Sequence, residues 1–108
     1  MIYRIKKTCT TVEERRQGMM NDYLEPDECC VFVYESDAYR SFWGKDTPQD
    51  LFVSLVCDGV VVESRRIYAY DERPVKLKKH IGSICIETLD RLYVGQHVTF
   101  TGASIMVV

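Results

Sequence analysis

The chain has 108 residues, of which 46% are hydrophobic and 28% charged, and its formal net charge is −2. That length suits one domain, and that apolar share supports a core without disulfide staples and argues against disorder. A charge balance this close to zero offers little to a phosphate backbone, so nucleic acid is not expected as a partner. Charged residues interrupt every apolar run well short of a membrane span, so no membrane partner is expected either.

Met1-Ile2-Tyr3-Arg4-Ile5-Lys6-Lys7 alternates apolar and polar side chains. It reads as a strand over 2–7 and not as a signal peptide, which needs an unbroken apolar stretch, so the expected compartment is the cytoplasm. The cysteines at 9, 29, 30, 57 and 85 fit that compartment as reduced thiols. Their number is odd, and Cys30, Cys57 and Cys85 lie in apolar runs where a thiol packs as a small hydrophobe.

Thr11-Val12-Glu13-Glu14 is a capping box. The Thr11 hydroxyl can accept from the first turn while Glu14 reaches back to the cap, which predicts a helix over 12–20 with Val12, Met19 and Met20 facing inward. Asn21-Asp22 and Glu25-Pro26-Asp27 then make a turn-rich loop.

From Cys29 onward the pattern is mostly strands. Residues 29–34 are apolar enough to be buried on both faces, Asp37-Ala38-Tyr39-Arg40 is a bend, and 40–43 is a further strand broken at Gly44. Leu51–Cys57 and Val60–Tyr68 are joined by Asp58-Gly59, a strong hairpin signal. A polar loop is expected over 71–80 around Pro74, then a strand from Ser83 to Glu87, one helical turn over Leu89–Tyr93, and strands over Gln96–Thr101 and Ser104–Val108. The expected fold is a single α+β domain over 1–108, mainly antiparallel β: a small barrel-like sheet with one main helix near the N-terminus.

The richest block is Phe42-Trp43-Gly44-Lys45-Asp46-Thr47, which holds the single tryptophan beside three polar groups of different chemistry. As a ligand pocket, Trp43 would stack, Lys45 would bind an anionic group, Thr47 would donate a hydrogen bond, and Gly44 would leave room. The competing reading makes Phe42 and Trp43 core and Lys45-Asp46 a solvated turn. Arg15 offers a fork for a carboxylate or phosphate, or an internal ion pair with Asp46 or Asp50, while Glu14 caps. Arg65, Arg66, Lys76, Lys78, Lys79 and His80 read as a solvated face, diluted by Glu63, Asp71 and Glu72. His80 and His97 are far apart and Cys29-Cys30 lacks ligand spacing, so no metal is expected, and no glycine-rich phosphate loop implies a cofactor.

Glu14-Arg15, Gln17-Gly18-Met19-Met20, Leu24, Val31-Phe32-Val33-Tyr34, Phe42-Trp43-x-Lys45-x-Thr47, Leu51, Asp58-Gly59-x-Val61 and Val94-Gly95-Gln96 follow one another over nearly the whole chain. In that order they resemble the DUF192 (UPF0127) family of bacteria, archaea and phages. The resemblance implies a small β-barrel-like domain with one main helix and carries no assigned biochemistry. The family usually reads Phe-Trp-Met-Lys-Asn-Thr and then Pro-Leu-Asp, where this chain has Gly44, Asp46, Asp50 and Phe52. The segment after Glu87 is also compact.

The expected function is therefore that of a small soluble module, not an enzyme, that binds a small anionic ligand through Arg15, Trp43, Lys45, Asp46 and Thr47. Two alternatives stay open: a hydrolase-type enzyme with Asp46 or Asp50 as general base beside Lys45, or an interaction module that pairs with a protein partner through an edge strand. The sequence assigns neither a catalytic residue nor an oligomeric state.

Overall fold

The N-terminal alternation produces β1 (Ile2–Cys9), which buries Tyr3 and Cys9 and leaves Ile2, Arg4 and Lys6 exposed, in a computed structural model that describes residues 1–108. The capping box then starts α1 (Val12–Gln17): Glu14 N donates to Thr11 Oγ1 at 3.1 Å, and Thr11 N donates to Glu14 Oε1 at 3.0 Å. The helix ends earlier than its expected limit at residue 20. Gly18 takes φ +46, and a Cβ there would stand 3.2 Å from the Phe32 ring, so the chain turns where only glycine fits easily. Met19 is buried as expected, but Val12 is 70% exposed, because α1 buries none of its six residues.

Residues 29–34 and 40–43 are not separate strands. They belong to one long strand, β2 (Glu28–Phe42), whose register shifts between Val33 and Ala38 and again between Ala38 and Arg40, so the expected bend becomes an irregularity within the ladder. β3 (Leu51–Cys57) and β4 (Val60–Ile67) form the expected hairpin, with Asp58 at φ +51 and Gly59 at φ +74. Both central residues have the positive φ of a type I′ turn.

The polar stretch 71–80 is only partly a loop, since β5 runs from Val75 to Thr88. Its first half pairs with the end of β2, Leu77 against Arg40 and Lys76 against Ser41, and buries only Leu77. Val75 is partly buried and the remaining positions through Ile81 face solvent, which is why the run reads as polar. Residues 89–93 form no helical turn, and β6 (Val98–Thr101) and β7 (Ser104–Val107) close the chain as a hairpin.

The sheet order is β4-β3-β5-β2-β1-β7-β6. Pairing is antiparallel except between β1 and β2, which run parallel because the connection between them crosses over through α1. A single bridge, Val60 to His97, joins the segment before β6 to the start of β4, supported by Val61 N to Gln96 O at 2.9 Å and Val98 N to Gly59 O at 2.8 Å. No continuous ladder follows from it, so strand pairing does not close the sheet.

Both faces of the sheet are covered. Cys30, Phe32, Val53 and Cys85 enter one core with Met19 and Leu24, and Cys29, Val31 and Ile86 enter the other with Tyr3 and Leu92. Adjacent residues therefore go to opposite sides. That parity sends Glu87, two residues after Cys85, to the α1 side of the sheet.

Candidate functional site

A cavity of about 210 Å³ lies between the end of α1 and the sheet. Its lining comes from Arg15 to Met20, from Phe32, Tyr34, Ser41 and Phe42 on β2, from Trp43 and Thr47 in the turn that follows it, and from Glu87 on β5. Drug-sized ligands occupy roughly 300–1,000 Å³, so this space suits a smaller molecule.

Of the residues singled out in the sequence, the cavity gathers three. Trp43 forms part of the wall and is 40% exposed. Arg15 is half-buried, lies 4.7 Å from the centroid of the Tyr34 ring, and donates from Nη1 to the Val33 carbonyl at 3.0 Å and to the Thr10 carbonyl. It pairs with neither Asp46 nor Asp50. Thr47 is buried, and its hydroxyl already donates to the Lys45 carbonyl at 3.1 Å. Towards a ligand it is thus an acceptor, not the expected donor.

Lys45 and Asp46 are not part of the lining. Lys45 Nζ sits 5.2 Å from the Trp43 ring centroid, a cation–π contact within the same turn. Asp46 adopts φ +52, and its carbonyl accepts from Asn21 N at 2.7 Å, so its role is in the turn backbone. Asp50 also lies outside the cavity. Its carboxylate accepts from Ala69 N at 2.8 Å and from Arg66 Nη2 at 2.9 Å, and these bonds hold its pKa below the usual carboxylate range.

Gly44 does not open space beside Trp43. A Cβ at this position would stand 1.9 Å from the Tyr68 carbonyl oxygen, and Gly44 N donates to the Asp71 carbonyl at 2.7 Å. The glycine allows the 68–71 backbone to pass directly against the Trp43 turn. The basic residues Arg65, Arg66, Lys76, Lys78, Lys79 and His80 are all exposed, as expected of a solvated face, but an acid between them is not. Glu63 is buried among them and accepts from the Lys78 and Lys79 amides at 3.0 and 3.1 Å, tying β4 to the outer half of β5.

The sequence reading passed over Glu87. It is 4% exposed, it lines the cavity, and its Oε1 has no hydrogen-bond partner. Burial pushes its pKa up to about 8, Cys9 adds to the rise, and Lys7 opposes it. On either side across the ladder stand Cys30 and Val53. Cys30 Sγ is 3.8 Å from Cys9 Sγ, and that contact, with burial, drives the Cys30 thiol pKa strongly upward. The available signal is one acid at the core-facing parity, directly after the apolar run Ile84–Ile86.

No family model and no curated protein matches the chain. Two solved structures share its fold. One is a protein of unknown function from Novosphingobium aromaticivorans DSM 12444, with a TM-score of 0.80 at 20% identity over 91% of this chain and 75% of that one. The other is a candidate transcription regulator from Sinorhizobium meliloti 1021, with a TM-score of 0.72 at 17% identity over 79% of this chain and 67% of that one. At these identities the likeness concerns the fold.

Proposed function

We propose that this protein is a small-ligand binding module whose ligand is an anion held in the cavity beside α1. The observation that carries the reading is that one cavity gathers Arg15 from the helix and Trp43 and Thr47 from a distant turn. Arg15 supplies a cation that forms no ion pair within the protein, and the aromatic and methionine walls supply apolar contact. Lys45 and Asp46 act from the turn that holds Trp43.

The resemblance to DUF192 belongs to this reading. Gly18-Met19-Met20 and Phe42-Trp43, from the two blocks that carry it most specifically, line the same cavity. So does the barrel-like description, supported by the Val60–His97 bridge between the outer parts of the sheet. The cytoplasmic assignment rests on five unbridged cysteines.

The hydrolase-type alternative has a specific observation in its favour, but at a different residue. Asp50 is engaged and its pKa lowered, whereas Glu87 is a buried carboxyl with a raised pKa at the cavity, the combination a general acid needs. The edge-strand alternative has less support, because β6 has four residues and β4 carries Arg65 and Arg66, features that blunt an edge.

The test uses the single tryptophan. Trp43 fluorescence is titrated with acetate, benzoate and inorganic phosphate at pH 6.5. At least one anion should give a saturable change, and Arg15→Ala should weaken it. No saturable change with any of the three would remove the anion-binding reading.

A further inference from the structure

We infer that Glu87 is a ligand-binding acid that donates its carboxyl proton in a hydrogen bond to the carboxylate of a small organic acid, whose apolar body fills the cavity. This rests on the anion-binding reading and names the ligand class.

The first ground is an unfilled valence. Buried polar atoms are almost always hydrogen-bonded, and each exception calls for a reason. Glu87 Oε1 is buried without a partner, on a residue that lines the cavity. A carboxyl left unpaired beside an open space is a group available to an incoming molecule.

The second ground is the surroundings. The charged and titratable groups around Glu87 are Lys7 and Cys9 of β1, Cys30 and Tyr34 of β2, Cys85 of β5 itself, and Arg15 and Arg16 of α1 across the cavity. Val53, its neighbour on β3, is apolar. The cation whose charge acts on it, Lys7, is committed elsewhere: its Nζ donates to Gly18 O at 2.8 Å and lies 3.3 Å from Asp22 Oδ2. With no cation bonded to it, the buried carboxyl keeps its proton at neutral pH and presents an O–H donor.

An O–H donor deep in the cavity and a guanidinium at α1 complement the two oxygens of one carboxylate. Bonds from both are charge-assisted, the stronger kind. The rest of the ligand meets Phe32, Phe42, Met19 and Trp43, which favours an apolar body. Phosphate has no apolar body and would leave these walls without a partner. No covalent bond changes: the complex keeps the Glu87 proton, so affinity is constant at neutral pH and falls about tenfold per pH unit once Glu87 ionises near pH 8.

The test extends the fluorescence titration with benzoate and inorganic phosphate to pH 6.5, 7.5, 8.5 and 9.5 for the wild type and Glu87→Gln, with circular dichroism to show that the variant is folded. Benzoate should saturate, and its Kd should rise about tenfold per pH unit at the top of the range. Glu87→Gln, whose amide donates at every pH, should bind benzoate with a flat profile. A flat wild-type profile overturns the inference by itself, even if the variant does not fold. A folded variant that keeps the wild-type slope also overturns it. Saturation by phosphate but not benzoate removes the carboxylate class and leaves the anion-binding reading standing. Saturation by neither, at any pH, removes both.

Discussion

Arg15 lies over the Tyr34 ring, its guanidinium carbon 4.7 Å from the ring centroid, while Arg40 approaches the same ring at 3.7 Å. Tyr34 thus ties α1 to the middle of β2, and the residue offered as the anion's cation also holds the helix to the sheet. Burial is the main reason that the Tyr34 hydroxyl pKa is pushed up to about 12, which keeps the ring neutral.

This double role gives the first prediction. Arg15→Ala should destabilise the fold by about 1–2 kcal/mol, the scale of a partly buried cation–π contact with its hydrogen bonds. It should also weaken anion binding by about 1.5–3 kcal/mol, the range for a hydrogen bond to a charged group. Arg15→Lys should recover part of the binding and less of the stability, because an ammonium keeps the charge but loses the planar stack. Urea unfolding and Trp43 titration separate the two effects. Equal recovery of both by lysine would count against the stacking argument.

The second prediction concerns stability against pH. The native pKa of Glu87 is raised to about 8 from the ordinary carboxyl value of 4.5, so between these values the native state holds a proton that the unfolded chain has released. Stability from this group is complete below pH 4.5, declines as pH rises, and levels off above about 8. The full span is on the order of 5 kcal/mol. Glu87→Gln removes the ionisation, so its stability relative to the wild type should climb from pH 5 to pH 8. Denaturant curves at pH 5, 6.5 and 8 give the comparison, and a constant difference between the two proteins would contradict the buried, unpaired acid.

What the sequence revealed was local. The Thr11–Glu14 capping box and the Asp58-Gly59 turn each depend on a few adjacent residues, and both form as expected. The pairing of Leu77 with Arg40 depends on two halves of long strands meeting, so a lysine-rich run with one buried position in view looked like loop. The parallel β1–β2 pair depends on the route through α1. Trp43 and Arg15 stood out by residue type, and the structure places both on the cavity. Glu87 did not, because its meaning comes from α1 and the following turn folding over its face of the sheet. Gly44 was noticed for the wrong reason, since the backbone packed against it lies more than twenty residues away in sequence.

That contact supplies the third prediction. Gly44→Ala would place a methyl carbon 1.9 Å from the Tyr68 carbonyl oxygen, and backbone cannot swing aside as a side-chain tip can. The substitution should cost about 3 kcal/mol, the upper range for overpacking, and should displace the Trp43 turn. Thermal unfolding and acrylamide quenching of Trp43 report the two consequences. A loss below about 0.5 kcal/mol, the level of an ordinary surface change, would mean that the 68–71 segment does not pack there.

The last prediction concerns the thiols. Cys9, Cys29, Cys30 and Cys85 are buried, and Cys57 alone is partly accessible, with its Sγ 3.4 Å from the Ile81 carbonyl oxygen. Reactivity requires both access and a thiolate, and burial raises the pKa of Cys29 and of Cys85 to about 12. A thiol reagent on the folded protein should therefore label Cys57 in one early phase and the other four only as the protein unfolds. The Cys57→Ser variant should lose that phase without changing the late one. In denaturant without reductant the titration should count all five. A count of three would instead indicate a bridge, and the 3.8 Å between Cys9 and Cys30 makes that pair the first to map. A bridge there would tether β1 to β2 beside Glu87, and the proposal of a cytoplasmic location would have to be withdrawn.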